Sequence, residues 1–365
     1  MVRSMGARAV RSWAIIADLA SACEPGVPAL VAPSRGRARI IVATMADLGE
    51  FELIDRFFTR PTSRATLGVG DDCALLQPAA GTTIAVSTDM LVEGRHFLST
   101  VAPERLGHKA LAVSLSDLAA CGARPLAFTL ALALPRAEEA FLAGFARGLL
   151  ALADREACEL IGGDTTRGPL AICITVFGEL PVGLALLRSG ARPGDELYVS
   201  GTLGDARLAL EAFRGTVSLA EPAFRQARQA MEMPIPRNGL GIRLRGIATS
   251  AIDVSDGFMG DLGHVLRRSG VGAVVDADAL PRSAFLAAQP PALQRQCLLA
   301  GGDDYELVFT ALPSRRDAVA AAAASAGVAV TRVGRIEAGS GLRVVDRDGA
   351  AVESDFASFD HFRSG

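Results

Sequence analysis

The chain has 365 residues, half of them apolar, and 37 Lys and Arg against 40 Asp and Glu give a net charge of −3. That length accommodates two domains, each with its own core. The charge balance lacks the basic excess of a nucleic-acid binder, and 5% aromatic residues make no base-stacking platform. The longest charge-free apolar run, residues 126–135, is only strand-length, so no membrane span is expected. What remains is a small-molecule partner.

The first 44 residues are rich in arginine and lack a sustained period. Residues 1–45 read as an extension without a fold of its own, an overlong start with Met45 as the initiator rather than a transit peptide. Beyond it, strands alternate with helices. The patterning predicts a strand over 83–88 ending in Asp89, then an amphipathic helix over 103–121 with Pro103 in its first turn. It continues with a strand over 126–134, a helix over 137–157, and a short strand over 159–161 running into Gly162-Gly163-Asp164. A further strand over 170–180 completes this half. Gly, Arg and Pro then thin the pattern over 181–194, which places a domain junction there. The second half repeats the alternation: strands at 196–199, 250–254, 273–276, 305–310 and 328–336, and helices at 204–213, 222–233, 258–269 and 315–326. The fold class expected is α/β of the α+β type, two domains of mixed β-sheet packed with helices, over 46–181 and 182–365.

Acidic residues recur where apolar strands give way to small residues. Gly70-Asp71-Asp72, Ser87-Thr88-Asp89, Gly162-Gly163-Asp164, Asp253-Val254-Ser255-Asp256-Gly257 and Gly301-Gly302-Asp303-Asp304 are the instances, and Asp117 adds a carboxylate from the first helix. Clustered carboxylates repel and lose solvation, so a convergent set implies a cation. Oxygen-only donors beside Ser and Thr hydroxyls suit Mg²⁺, and adjacent glycines admit phosphate oxygens to the backbone. Each member alone also reads as a turn or a helix cap. Ser255 or Asp256 serves equally to cap the helix that follows, and Asp117 to face solvent. Recurrence is what points to a site. A P-loop is excluded, because the single lysine, Lys109, lies between His108 and Ala110 rather than in G-K-[ST]. Positive charge for a nucleotide then falls to metal and arginine. Arg188, at the junction, is the candidate, with a solvated linker charge as its alternative. His96, just after Asp89, is the histidine best placed for a substrate; His108 and His264 read as structural or surface. The six scattered cysteines form no metal spacing and fit a reducing compartment.

With these residues in view, the chain resembles the thiamine-monophosphate kinase family, whose superfamily includes aminoimidazole ribonucleotide synthetase and selenophosphate synthetase. The resemblance runs from Gly49-Glu50-Phe51 to Asp360-His361-Phe362. Its motifs are Gly68-Val69-Gly70-Asp71-Asp72-Cys73-Ala74, Ser87-Thr88-Asp89, LAVSLSDLAACG at 111–122, LIGGDTTR at 160–167, AIDVSDG at 251–257 and GGDDYEL at 301–307. The resemblance implies ATP-dependent phosphorylation of thiamine phosphate to thiamine diphosphate by direct in-line transfer with Mg²⁺. It also implies a cytoplasmic homodimer whose N-terminal domains pair their strands, with the active site between domains. Carried over by motif, Asp72, Ser87, Thr88, Asp89, Asp117, Asp253 and Asp256 would hold Mg²⁺. Gly163, Asp164, Arg188 and Ser255 would contact ATP. His96, Asp303 and Phe356 would border thiamine phosphate. Ser114 stands where the family pattern has Asn, and Asp303 where it has Glu. Two rivals share these features: another ATP-dependent synthetase of the superfamily, and a non-catalytic nucleotide- or thiamine-binding scaffold.

Overall fold

The computed structural model describes residues 49–352. The extension read over 1–45 and the expectation for Phe356 lie outside them. The first half comprises α1 (Glu50–Phe57), β1 (Ala65–Leu67), β2 (Leu75–Leu76), β3 (Thr82–Val92), α2 (Pro103–Ala120), β4 (Arg124–Leu134), α3 (Glu139–Arg155), β5 (Glu159–Arg167) and β6 (Ala171–Pro181). The second comprises β7 (Glu196–Ser200), α4 (Asp205–Phe213), α5 (Glu221–Glu232), α6 (Asn238–Leu244), β8 (Ala248–Asp253), α7 (Phe258–Ser269), β9 (Gly272–Asp276), α8 (Ala284–Ala287), α9 (Pro291–Ala300), β10 (Leu307–Ala311), α10 (Arg316–Ala326), β11 (Val330–Glu337) and β12 (Gly341–Val345).

Two mixed sheets result. The first runs β3-β6-β4-β5, antiparallel except between β4 and β5; the second runs β12-β9-β11-β7-β10-β8, with β12 and β9 its one parallel pair. Leu106, Leu111, Leu115, Phe128, Leu142 and Phe145 anchor the core between the first sheet and helices α2 and α3. Leu197, Val199, Leu262, Val275 and Val308 anchor the core of the second.

Helix α2 departs from the amphipathic reading. From Leu106 to Ala119 it is buried on nearly every face, because it also packs its C-terminal end against the second half through Ala119, Leu240 and Leu244. A helix covered all round carries no polar stripe except where a partner awaits it. His108 illustrates the point: it does not cover a surface but is buried, with Nε2 2.8 Å from the Pro234 carbonyl.

The acids are also seated differently from the reading at strand ends. β3 continues to Val92, so Asp89 lies within the strand; β5 continues to Arg167, so Gly162-Gly163-Asp164 is strand and not turn. Glycine is required at 163 for closeness: a Cβ there would stand 1.9 Å from the Leu130 carbonyl oxygen of β4. Only Asp253 closes a strand, β8. The β1–β2 pair, α1, α6, α8, α9 and β12 have no counterpart in the sequence reading. β1, β2, α6 and α8 are too short to show a period.

Candidate active site

Three cavities gather the residues singled out above. One, of about 390 Å³, is lined by Thr88, Asp89, His96, Asp117, Asp253, Ser255, Asp256 and Asp303, together with Lys109 and Tyr305. A second, of about 530 Å³, is lined by Ser87, Asp117, Arg188, Asp253 and Arg268. Asp117 and Asp253 border both. The third, of about 600 Å³, holds Asp71, Asp72, Gly163 and Asp164, beside Phe51 and Leu130. The expected site thus divides: Asp72, Gly163 and Asp164 are not brought to the other acids within one chain.

The shared wall is built by three elements. β3 supplies Ser87 and Asp89, which alternation places on one face. Thr88 points the other way and pairs its hydroxyl with Thr175 of β6 at 2.9 Å. α2 supplies consecutive Ser116 and Asp117. Ser116 Oγ donates to Asp253 Oδ2 at 2.7 Å, tying α2 to the end of β8, while Asp117 accepts from the Ser87 hydroxyl.

These carboxyls resist ionisation. Burial, then the charge of Asp117, pushes Asp89 up to about 6, against a smaller lowering by the Ser114 hydroxyl. Burial, with Asp117 next, raises Asp253 well above the usual range. Asp117 is raised by burial, offset in part by Ser87 and by the Arg188 guanidinium. Asp89 Oδ2 is buried with no hydrogen-bond partner. Keeping three such groups ionised without a cation costs several kcal/mol. An orphaned oxygen in an all-oxygen set fits a hard divalent cation. Among the described residues no three His, Cys, Asp or Glu side chains form a ready metal cage. Mg²⁺ does not require one, since it takes one or two carboxylates and fills its octahedron with water and phosphate.

Two loops of the second half close the site, and they are zipped together. Val254 N donates to Glu306 O at 2.8 Å, Asp303 N to Ser255 O at 2.9 Å and Tyr305 N to Val254 O at 2.8 Å, extending the β8–β10 pairing past both strands. Gly302 permits the approach, for a Cβ there would lie 2.4 Å from Ser255 O. Asp261, in the first turns of α7, accepts from the backbone N–H groups of Ser255, Asp256 and Gly257 at 3.0, 3.1 and 3.1 Å. Asp256 is therefore aimed by its loop and does not itself cap the helix. Asp261 was missed from the sequence; its signal was an acid in the helical turn after Ser-Asp-Gly.

His96 accepts from the Val92 N–H at Nδ1, 3.0 Å, which leaves the ring proton of the neutral form on Nε2. Asp303 is held by Lys109 and Tyr305 at 3.0 Å each. Lys109, set aside once the P-loop was excluded, is thus a lining residue that sequence reasoning overlooked.

Comparison with known proteins finds relatives that cover most of the chain. The pattern described as AIR synthase related protein, N-terminal domain, matches residues 70–180, and that of the C-terminal domain matches residues 192–347. The thiamine-monophosphate kinase of Salmonella typhimurium is 46% identical over 320 residues, 86% of this chain and 98% of that protein. The crystal structure of thiamine-monophosphate kinase from Stenotrophomonas maltophilia K279a superposes with a TM-score of 0.77 at 46% identity, covering 84% of this chain and 98% of that one. AaThiL, solved complexed with AMPPCP and TMP, is 31% identical with a TM-score of 0.68, covering 78% and 89%.

Proposed function

The chain belongs to the thiamine-monophosphate kinase family of AIR synthase related proteins, and we propose that it transfers the γ-phosphoryl group of ATP in line to thiamine phosphate, yielding thiamine diphosphate. The observation that carries this reading is the wall of Asp89, Asp117 and Asp253. Asp117 and Asp253 border both the cavity bearing Arg188 and the cavity bearing His96 and Asp303, and Asp89 lines the second. AaThiL, complexed with both AMPPCP and TMP, supports the same pair of ligands here.

The acceptor is a phosphate monoester, largely ionised at neutral pH, so the chain needs no strong general base. Its task is to align two polyanions. We assign the nucleotide to the cavity of Arg188, with Ser255 reaching it from the adjoining cavity; Gly163 and Asp164, which line the third cavity, are further contacts only across a homodimer. Thiamine phosphate goes to the cavity of His96 and Asp303. Asp72, Ser87, Thr88, Asp89, Asp117, Asp253 and Asp256 would hold Mg²⁺, with Thr88 offering its backbone side better than its hydroxyl. The chemistry that bound Mg²⁺ supplies is neutralisation of charge between the two phosphate chains.

β3 and β5 are opposite edges of a four-stranded sheet, and three steps of about 4.8 Å set them about 14 Å apart. Asp164 therefore does not reach Asp89 in its own chain. We propose a homodimer in the cytoplasm, joined through these sheets, in which the Asp72–Asp164 region of one protomer completes the site of its partner. The exposed Val86 and Met90 of β3 favour such a face.

The test is ADP release measured with thiamine phosphate and with unphosphorylated thiamine, each with and without Mg²⁺. Release that needs thiamine phosphate and Mg²⁺ together is expected. Equal release with thiamine, or none with either acceptor, overturns the reading.

A further inference from the structure

Lys109 is the only lysine of a chain that otherwise carries its positive charge on arginine. It is also among the most buried charges in the molecule, 3% exposed. On α2 it shares one stripe with Val113 and Asp117, four and eight residues on, and all three line the 390 Å³ cavity. Along the helix axis Lys109 thus stands about 12 Å from Asp117, and its ammonium is turned to Asp303.

Its partner is Asp303. Lys109 Nζ donates to Asp303 Oδ2 at 3.0 Å, and the Tyr305 hydroxyl donates to Asp303 Oδ1 at 3.0 Å. Both oxygens are fixed, one from each half of the molecule. Asp303 and Tyr305 hold left-handed backbones, φ 67° and 51°, which residues with side chains seldom adopt. The neighbouring acids are secured within the second half. Asp304 accepts from Gly204 N at 2.9 Å, and Glu306 is bound by Arg237 and Ser200. Of these three acids, Asp303 alone is tied to α2. A compact ammonium suits that buried tie, where the planar fork of an arginine needs more room.

We propose that Lys109 is a positioning residue for the acceptor, acting through Asp303. Together with Tyr305 it locks that carboxylate at the cavity wall, so that the cationic ring of the acceptor meets a fixed anion. The proposal rests on the assignment of this cavity to thiamine phosphate. It leaves the nucleotide side untouched.

The experiment compares the intact protein with Lys109→Met, Asp303→Asn and the double variant, in saturating Mg²⁺. KM for thiamine phosphate, KM for ATP, kcat and the melting temperature are measured for each. Lys109→Met is expected to raise KM for thiamine phosphate about tenfold and leave that for ATP within about twofold. The double variant should match Asp303→Asn, because the lysine then has nothing to act through. Losses that multiply in the double variant, an equal rise in KM for ATP, or unchanged kinetics in Lys109→Met overturn the proposal. Should Lys109→Met melt below the assay temperature, Lys109→Gln takes its place in the same comparison. An unaltered protein that fails to use thiamine phosphate sinks the functional assignment instead, so the two failures are distinct.

Discussion

The cavity walled by Asp89, Asp117 and Asp253 and the cavity of Asp72 and Asp164 hold the same residue types in opposite physical states. In the first, Asp253 is buried and Asp89 and Asp117 are half-buried, Asp117 and Asp253 accept hydrogen bonds across elements, and all three are raised above their ordinary range. In the second, Asp71, Asp72 and Asp164 are exposed, and the Asp71 carboxylate accepts only from its neighbour's N–H, at 2.8 Å. A buried carboxylate set is a site already assembled by the fold. An exposed one gains comparable strength only when something covers it.

The largest effect should come from breaking the assembled side. Asp89→Ala is expected to lower kcat/KM at least ~1,000-fold with an unchanged circular dichroism spectrum; near-wild-type turnover with the same Mg²⁺ requirement would show that the buried wall is not the catalytic centre. The exposed side is tested by mixing. Asp89→Ala and Asp164→Ala chains, each inactive alone, should regain about one quarter of wild-type activity when exchanged at equal amounts, since half the dimers carry one intact site. No recovery after demonstrated subunit exchange would place both acids in one chain's site. Arg188→Met should raise KM for ATP about tenfold and spare KM for thiamine phosphate; the reverse split would exchange the two cavities.

The smallest effect is on stability. Asp89 has a folded pKa of about 6, above its unfolded value, so the stability it contributes is present below about pH 4 and is lost as pH rises through about 6. Asp253 is raised in the same direction. Without Mg²⁺ the protein should therefore melt lower at pH 8 than at pH 5, by a few degrees, and added Mg²⁺ should narrow the gap. An Asp89→Asn protein with the full pH dependence would show that the shifted groups lie elsewhere.

The acidic motifs were legible in sequence because Asp89, Asp117, Asp164 and Asp256 each sit beside Gly, Ser or Thr, whatever the backbone around them does. Their backbone setting was less legible. Asp89 and Asp164 lie within strands because β3 keeps its pairing with β6, and β5 with β4, through the polar motif; the apolar pattern stops there, and an interrupted pattern reads as an ended strand. Lys109 was missed for another reason: its partner, Asp303, is distant in the chain, and that relation leaves no spacing to read. The division of the site between two cavities was equally hidden, since strand order is set by tertiary pairing and not by local pattern.

The zipper between Val254–Ser255 and Asp303–Glu306 has a consequence in time as well as in space. Loops at active sites usually exchange their amide protons quickly, because they open without disturbing the core. Here the amides of Val254, Asp303 and Tyr305 are bonded across two loops whose backbones abut at Gly302. Their deuterium uptake should be as slow as that of β8 and β10. That wall of the pocket is therefore a fixed template, and the adjustments that admit and release ligands fall to the opposite side.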